Sequence, residues 1–101
     1  MEPTDEQRAE RVARFEAINI SMQEVFEAAG PNGITEDELV RDISRATTLD
    51  SEAVGRYVKS ALLHGYIPVV TLKRTLLIEE VEQLPSVTCR YRARLFGWDH
   101  D

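Results

Sequence analysis

The chain has 101 residues and a mass of 11.5 kDa, which predicts one domain and excludes large nucleotide-binding and barrel architectures. Its 18 acidic and 12 basic side chains give a net charge of −6, which disfavours a general polyanion binder. The single cysteine, Cys89, excludes a disulfide within the chain, and no apolar run approaches the ~20 residues that span a bilayer. Because residues 1–10 are also too polar for a secretory signal, we expect a cytoplasmic protein without a membrane partner.

Charge is unevenly distributed along the chain. Residues 1–50 carry 12 acidic and 5 basic side chains, a net charge of −7. Residues 51–101 carry 6 acidic and 7 basic side chains, a net charge of +1. An anionic partner is therefore expected to bind the second half of the chain.

A helical segment is predicted from Thr4 to about residue 29, where Gly30 and a following proline end it. Apolar residues recur along it at spacings of three and four, at Phe15, Ile18, Met22, Val25 and Ala29. Residues 19–21 are weaker helix formers, and Ser21 and Glu24 fit a second capping box. We therefore expect two helices, at about residues 5–18 and 22–29, with one continuous helix as the alternative.

Two further helices follow a short extended segment at residues 33–35. Thr35 and Glu38 fit a third capping box, for a helix over residues 36–46. Asp50 can cap a helix over residues 51–64, which Gly65 ends. The residues expected to face the core are Leu39, Ile43 and Ala46 in the first of these helices and Val54, Val58, Ala61 and Leu62 in the second.

After residue 65 the pattern predicts β-structure. Strands are expected at residues 67–72 and 75–81, with Lys73 and Arg74 at the tip of the hairpin and a break at residues 83–86. Apolar and polar residues alternate over residues 87–95, which predicts a strand with one apolar and one basic face. Cys89 falls on the apolar face and is expected to be buried and inert. Phe96 and Trp98 are expected to pack on the domain or on a second subunit.

The order of helix, short strand, two helices and hairpin resembles the winged-helix branch of the helix-turn-helix superfamily over residues 20–81. The resemblance lies in Gly33-Ile34-Thr35-Glu36-Asp37-Glu38-Leu39 and in Val54-x3-Val58-x3-Leu62-Leu63-x2-Tyr66-Ile67. It implies an α+β fold in which a three-helix core carries a β-hairpin wing. Residues 1–20 would be an N-terminal helical extension, and residues 21–101 the winged-helix domain with an extra C-terminal strand and tail.

The resemblance also implies a DNA-binding surface, because the third helix of this superfamily usually enters the major groove and the wing touches the DNA backbone. Arg56 and Lys59 are of the types that read guanine or neutralise phosphate, and Gly55 would let a backbone approach closely. Glu52 departs from a phosphate-reading surface, and Ser60 completes the exposed side of the helix. The predicted DNA-binding residues are Ser51, Gly55, Arg56, Lys59, Lys73, Arg74, Arg90, Arg92 and Arg94.

The three arginines at positions 90, 92 and 94 share one strand face at spacings of about 7 Å, so their charges repel. Either an anionic partner or the nearby acids Glu79, Glu80 and Glu82 would offset this repulsion.

No spacing typical of a metal site, a cofactor loop or a catalytic triad occurs in the sequence, so we expect neither a cofactor nor enzyme activity. One hypothesis is a sequence-specific DNA-binding protein, a small transcriptional or phage/plasmid-type regulator of double-stranded DNA. Regulators of this size usually need two copies to cover enough DNA, which would make it a homodimer, but the sequence leaves the oligomeric state open. The alternative is a winged-helix protein-interaction module, an adaptor or an inhibitor that mimics nucleic acid with its carboxylates and binds no DNA. The acidic first half of the chain favours the alternative.

Overall fold

The elements follow the order α, β, α, α, β, β, β in a computed structural model that describes residues 4–81 and 89–98. They are α1 (Asp5–Ala29), β1 (Ile34–Thr35), α2 (Glu36–Thr47), α3 (Ser51–His64), β2 (Tyr66–Val69), β3 (Arg74–Glu80) and β4 (Arg90–Gly97). Short 3-10 turns at Gly30–Asn32 and Val70–Leu72 follow α1 and β2. The expected α+β class is confirmed. The expected break at residues 83–86, the start of the last strand at residues 87 and 88, and the tail at residues 99–101 lie outside the described residues.

α1 is one continuous helix, so the predicted division into two helices is wrong. Thr4 caps it as expected: its hydroxyl accepts from the Gln7 N–H, and the Gln7 side chain accepts from the Thr4 N–H. Ser21 starts no second helix, because it lies buried within α1. The tertiary contacts of Asn19 outweigh the weak helix propensity of residues 19–21.

Buried Asn19 joins α1 to two other elements. Its Nδ2 donates to the carbonyl of Pro68 in β2 at 2.9 Å, and its Oδ1 accepts from the Tyr57 hydroxyl of α3 at 2.6 Å. Burial raises the pKa of Tyr57. β2 lies at the edge of the sheet, and the Asn19 amide supplies a donor to its backbone there.

The four strands form one antiparallel sheet in the order β1-β4-β3-β2. The hairpin expected after α3 is present, because β2 pairs with β3. β4 pairs with β3 on one side and with the two-residue β1 on the other. The helices cover the face that carries the buried side chains of Ile67, Val69, Leu76 and Ile78. We call this the inner face of the sheet and the opposite one the outer face.

The helices fill the core largely with the predicted residues. Leu39 and Ile43 of α2 are buried, as are Val54, Val58 and Ala61 of α3, while Leu62 is half-buried. Ala46, however, is exposed, and Val40 packs against the core instead. The reason is the position of α3: a Cβ added to Gly55 of α3 would lie 3.9 Å from Cγ1 of Val40.

Gly33 allows β1 to approach the sheet closely. It has a φ of +80°, and a Cβ at this position would lie 2.7 Å from Cγ2 of Val81 and 2.8 Å from the carbonyl oxygen of Tyr91. Only glycine fits this backbone conformation without displacing β4. The Thr35 capping box of α2 then forms as predicted, with Glu38 as its partner.

We expect Asn19→Ala to lower the free energy of unfolding by about 1–3 kcal/mol, because it removes the partner of both the Tyr57 hydroxyl and the Pro68 carbonyl. Urea unfolding followed by circular dichroism measures this. Asn32→Ala makes the same change at an exposed position and should stay within about 0.5 kcal/mol of the wild type. Equal effects of the two substitutions would contradict a structural role for Asn19.

Candidate nucleic-acid interface

α3 follows α2 after a three-residue turn, residues 48–50, in which Thr48 adopts a left-handed conformation with φ of 57°. Asp50 caps α3 as predicted, by accepting from the Ala53 N–H at 3.3 Å. A turn this short joins the helices both of helix-turn-helix motifs and of αα-hairpins. The turn fixes the angle at which α3 leaves α2 and so decides which of its faces meets solvent.

The outward row of α3 consists of Glu52, Arg56, Lys59 and Leu63, at spacings of four, three and four residues. All four side chains are exposed, and Leu63 keeps 85% of its surface accessible. We call these four residues the α3 row. Leu63 was missed by the sequence analysis, although it continues the helical spacing of its neighbours.

The other residues predicted on α3 flank the row. Ser51 is exposed at the first turn, and Ser60 is exposed one turn before the end of the helix. Gly55 lies on the flank that faces α2, so its small size serves helix packing.

The charges of the α3 row are only loosely paired. Nη1 of Arg56 lies 4.0 Å from Oε1 of Glu52, with both side chains at least 75% exposed, so the pair contributes little and Arg56 can leave it. Lys59 lines a groove that Glu36 and Glu80 also border. Carboxylates therefore lie close to one of the two basic groups that α3 offers.

The connection between β2 and β3 is wider than predicted. The strand expected over residues 67–72 ends at Val69, and Arg74 already belongs to β3, so Lys73 alone follows the turn. The cause is Glu16 of α1, whose carboxylate accepts from both the N–H and the hydroxyl of Thr71, at 3.0 and 2.8 Å. Lys73 and Arg74 are both exposed, as predicted.

The three arginines of β4 lie on the outer face of the sheet, away from the α3 row. Nε of Arg92 donates to Oε1 of Glu79, its partner across the strand pair, at 2.8 Å. Arg94 stands 5.6 Å over the ring of Phe96. Arg90 is exposed opposite Thr35 of β1. The structure thus separates the predicted DNA-binding residues of β4 from those of α3, with Lys73 and Arg74 at a third place, the β2–β3 connection.

Phe96 and Trp98 are not core residues, so the predicted packing in the core of the domain is wrong, whereas packing on a second subunit stays a prediction. Each keeps 45% of its surface exposed, because β4 alternates and even-numbered positions share the outer face with the arginines. Nε1 of Trp98 donates to Oγ1 of Thr75 on β3 at 2.8 Å. Leu77, between Thr75 and Glu79 on the same face, is also exposed.

Cys89 is half-buried rather than buried. Its hydrogen bond with Tyr91 is the main reason why the pKa of Tyr91 rises to about 12. No cluster of three or more histidine, cysteine, aspartate or glutamate side chains suited to a metal ion occurs within residues 4–81 and 89–98. Among the helices described, none is both long and apolar enough to cross a bilayer.

The Glu79–Arg92 pair gives the sheet a pH dependence. The hydrogen bond from Arg92, and then its charge, hold the pKa of Glu79 below the usual 4.5. The pair therefore stabilises the fold above that pH, and its contribution is lost as the pH falls through the lowered pKa. Between pH 6 and 3, the melting temperature of Glu79→Gln should fall less than that of the wild type. Glu24→Gln, on an exposed part of α1, should show the same fall as the wild type. Identical slopes for all three proteins would contradict the pair's role.

The chain matches none of the protein-family models, curated proteins or solved structures with which we compared it. Its function is therefore argued from the geometry of α3 and of the sheet.

Proposed function

We propose that the protein binds double-stranded DNA in a sequence-specific manner, as a small regulator, through the α3 row. The observation that carries the proposal is the exposed surface of α3, with two cations, Arg56 and Lys59, on a helix that follows α2 after a three-residue turn. A helix presented in this way fits the major groove, which is about 12 Å wide.

Each residue of the α3 row has a distinct contact to offer DNA. Arg56 can donate two hydrogen bonds to O6 and N7 of guanine, and Lys59 can neutralise a phosphate. Leu63 can pack against the methyl group of thymine, while Glu52 can accept from N4 of cytosine. Ser51, at the first turn of the helix, can bind a phosphate through its hydroxyl.

Electrostatics limit the affinity of one chain. The carboxylates of Glu36 and Glu80 border the groove beside Lys59 and repel phosphates. The arginines of β4 lie on the outer face of the sheet, so they add no contact to a straight duplex along α3. A second copy, bound one helical turn away, would double the phosphate contacts, and the proposed regulator therefore acts as a homodimer.

We expect Arg56→Ala to weaken the binding free energy by about 1–3 kcal/mol for DNA with the preferred base pair at one position. The variant should then discriminate less between base pairs at that position. Lys59→Ala should weaken binding to all DNA sequences alike. Because it removes one phosphate contact, the plot of log K against log salt concentration should become less steep by ~0.9. The assay is fluorescence anisotropy at low and moderate salt, with duplexes selected from a random library. Lys73→Ala reports whether the β2–β3 connection reaches the DNA backbone.

Arg94→Ala is the matched control, because it removes an equal charge from the outer face of the sheet. It should bind DNA as the wild type does. Failure of the wild type to enrich any sequence at low salt, where electrostatic attraction is strongest, would exclude the proposal. If Arg94→Ala and Arg56→Ala lowered the affinity for DNA equally, the protein would be attracting DNA non-specifically and α3 would not be reading its sequence.

A second candidate function is a protein-interaction module, and the outer face of the sheet favours it. Leu77, Phe96 and Trp98 are large apolar side chains exposed on one surface, and Arg94 lies among them, directly opposite Leu77. Aromatic residues and arginine are enriched at the centres of protein interfaces. We propose that the partner is a protein segment with apolar and acidic side chains, which complement this composition.

Leu77→Lys should abolish capture of such a partner from an extract of the source cells, since it places a charge at the centre of the apolar surface. Val70→Lys, an equal change at an exposed position in the β2–β3 connection, should leave capture intact. Quantitative mass spectrometry of proteins retained by wild type and variants measures both. If no retained protein distinguishes Leu77→Lys from Val70→Lys, the sheet face has no partner of this kind.

A further inference from the structure

An open cleft of about 550 Å³ lies between the N-terminal halves of α1 and α3. Arg11, Arg14, Phe15 and Ile18 border it from α1, at spacings of three, one and three residues that place them on one helix face. Its volume falls in the range of small-molecule sites, which is about 300–1,000 Å³.

The bottom of the cleft is apolar and contains a stacked aromatic pair. The ring of Phe15 stacks on that of Tyr57, with 5.2 Å between centroids and an interplanar angle of 28°. The Tyr57 hydroxyl is held by Asn19, so the stacked pair presents carbon surface to the cleft. Leu49 and Val54 complete this apolar lining from the α2–α3 turn and α3.

The rim of the cleft is cationic, although the chain as a whole carries a net charge of −6. Arg11, Arg14 and Arg56 border it, against one carboxylate, that of Asp50. The Asp50 carboxylate is already engaged, because it accepts from the Ala53 N–H. Within the described residues, Arg11 and Arg14 form no salt bridge, and Arg56 has only the loose contact of 4.0 Å with Glu52.

We propose that this cleft binds an anionic amphiphile: a small molecule with an aromatic or short aliphatic body and one carboxylate or sulfonate group. The body would cover Phe15, Leu49 and Val54. The anionic group would pair with the guanidinium groups of the rim, which donate two parallel hydrogen bonds to such oxygens. The three guanidinium groups complement the negative charge of such a ligand, and the small apolar lining complements its body.

Binding would also affect the DNA contact, because Arg56 belongs to both the cleft and the α3 row. A ligand that holds Arg56 over the cleft withdraws it from the DNA. This consequence, unlike the ligand site itself, depends on the proposed DNA-binding function. The protein would then release its DNA when the amphiphile accumulates.

The test compares two fluorescent probes on the full chain in the absence of DNA. 8-Anilinonaphthalene-1-sulfonate carries the anionic group, and N-phenyl-1-naphthylamine has the same aromatic body without it. We expect the sulfonate to bind at least tenfold more tightly and decanoate to displace it. Arg14→Gln should lower the affinity for the sulfonate about tenfold, as loss of a charge-assisted hydrogen bond does. Its affinity for the neutral probe should stay unchanged. Ala53→Met, which narrows the cleft, should lower the affinity for both probes.

Arg94→Gln is the matched control, since it removes an equal charge beside the exposed aromatic rings of the sheet, and it should not change either affinity. Circular dichroism confirms that each variant is folded. Equal affinities of the two probes, no binding of the sulfonate, or a larger effect of Arg94→Gln than of Arg14→Gln would each overturn the proposal. Added sulfonate should weaken DNA binding at least tenfold; if it binds without this effect, the ligand site stands and the shared role of Arg56 is excluded.

Discussion

The structure depends on one buried amide, that of Asn19, which holds α1, α3 and β2 together. A backbone carbonyl at a sheet edge and a half-buried tyrosine hydroxyl both need a partner, and the two ends of this amide supply a donor and an acceptor. The amide selects one register, because only one position satisfies both hydrogen bonds.

That register places Phe15 on Tyr57 and creates the cleft above them. α1 continues beyond the core, and its N-terminal turns stand over the start of α3 instead of packing closely against it. Arginine at positions 11 and 14 suits this place, since a long side chain can cover apolar surface with its methylene groups and keep its charge in water. The candidate ligand site is therefore a result of how the core is anchored.

The basic residues of the C-terminal half serve two surfaces with different chemistry. On α3, Arg56 and Lys59 are exposed and belong to the surface for which we propose a contact with DNA. On the sheet, Arg92 is neutralised by Glu79 and Arg94 lies over Phe96, so the outer face is a mixed apolar and polar surface typical of protein contacts.

The sequence by itself determined the helix caps at Thr4, Thr35 and Asp50, the helix ends at Gly30 and Gly65, and the alternation of β4, because these depend on residues within a few positions of one another. It thereby established the α+β class, the exposed position of Arg56 and Lys59, and the common face of the arginines. Tertiary structure alone decided that α1 continues through residues 19–21, since the stabilising partners of Asn19 are 38 and 49 residues away. It also decided which sheet face the helices cover, and therefore left Phe96 and Trp98 in solvent and brought Arg11 and Arg14 over α3.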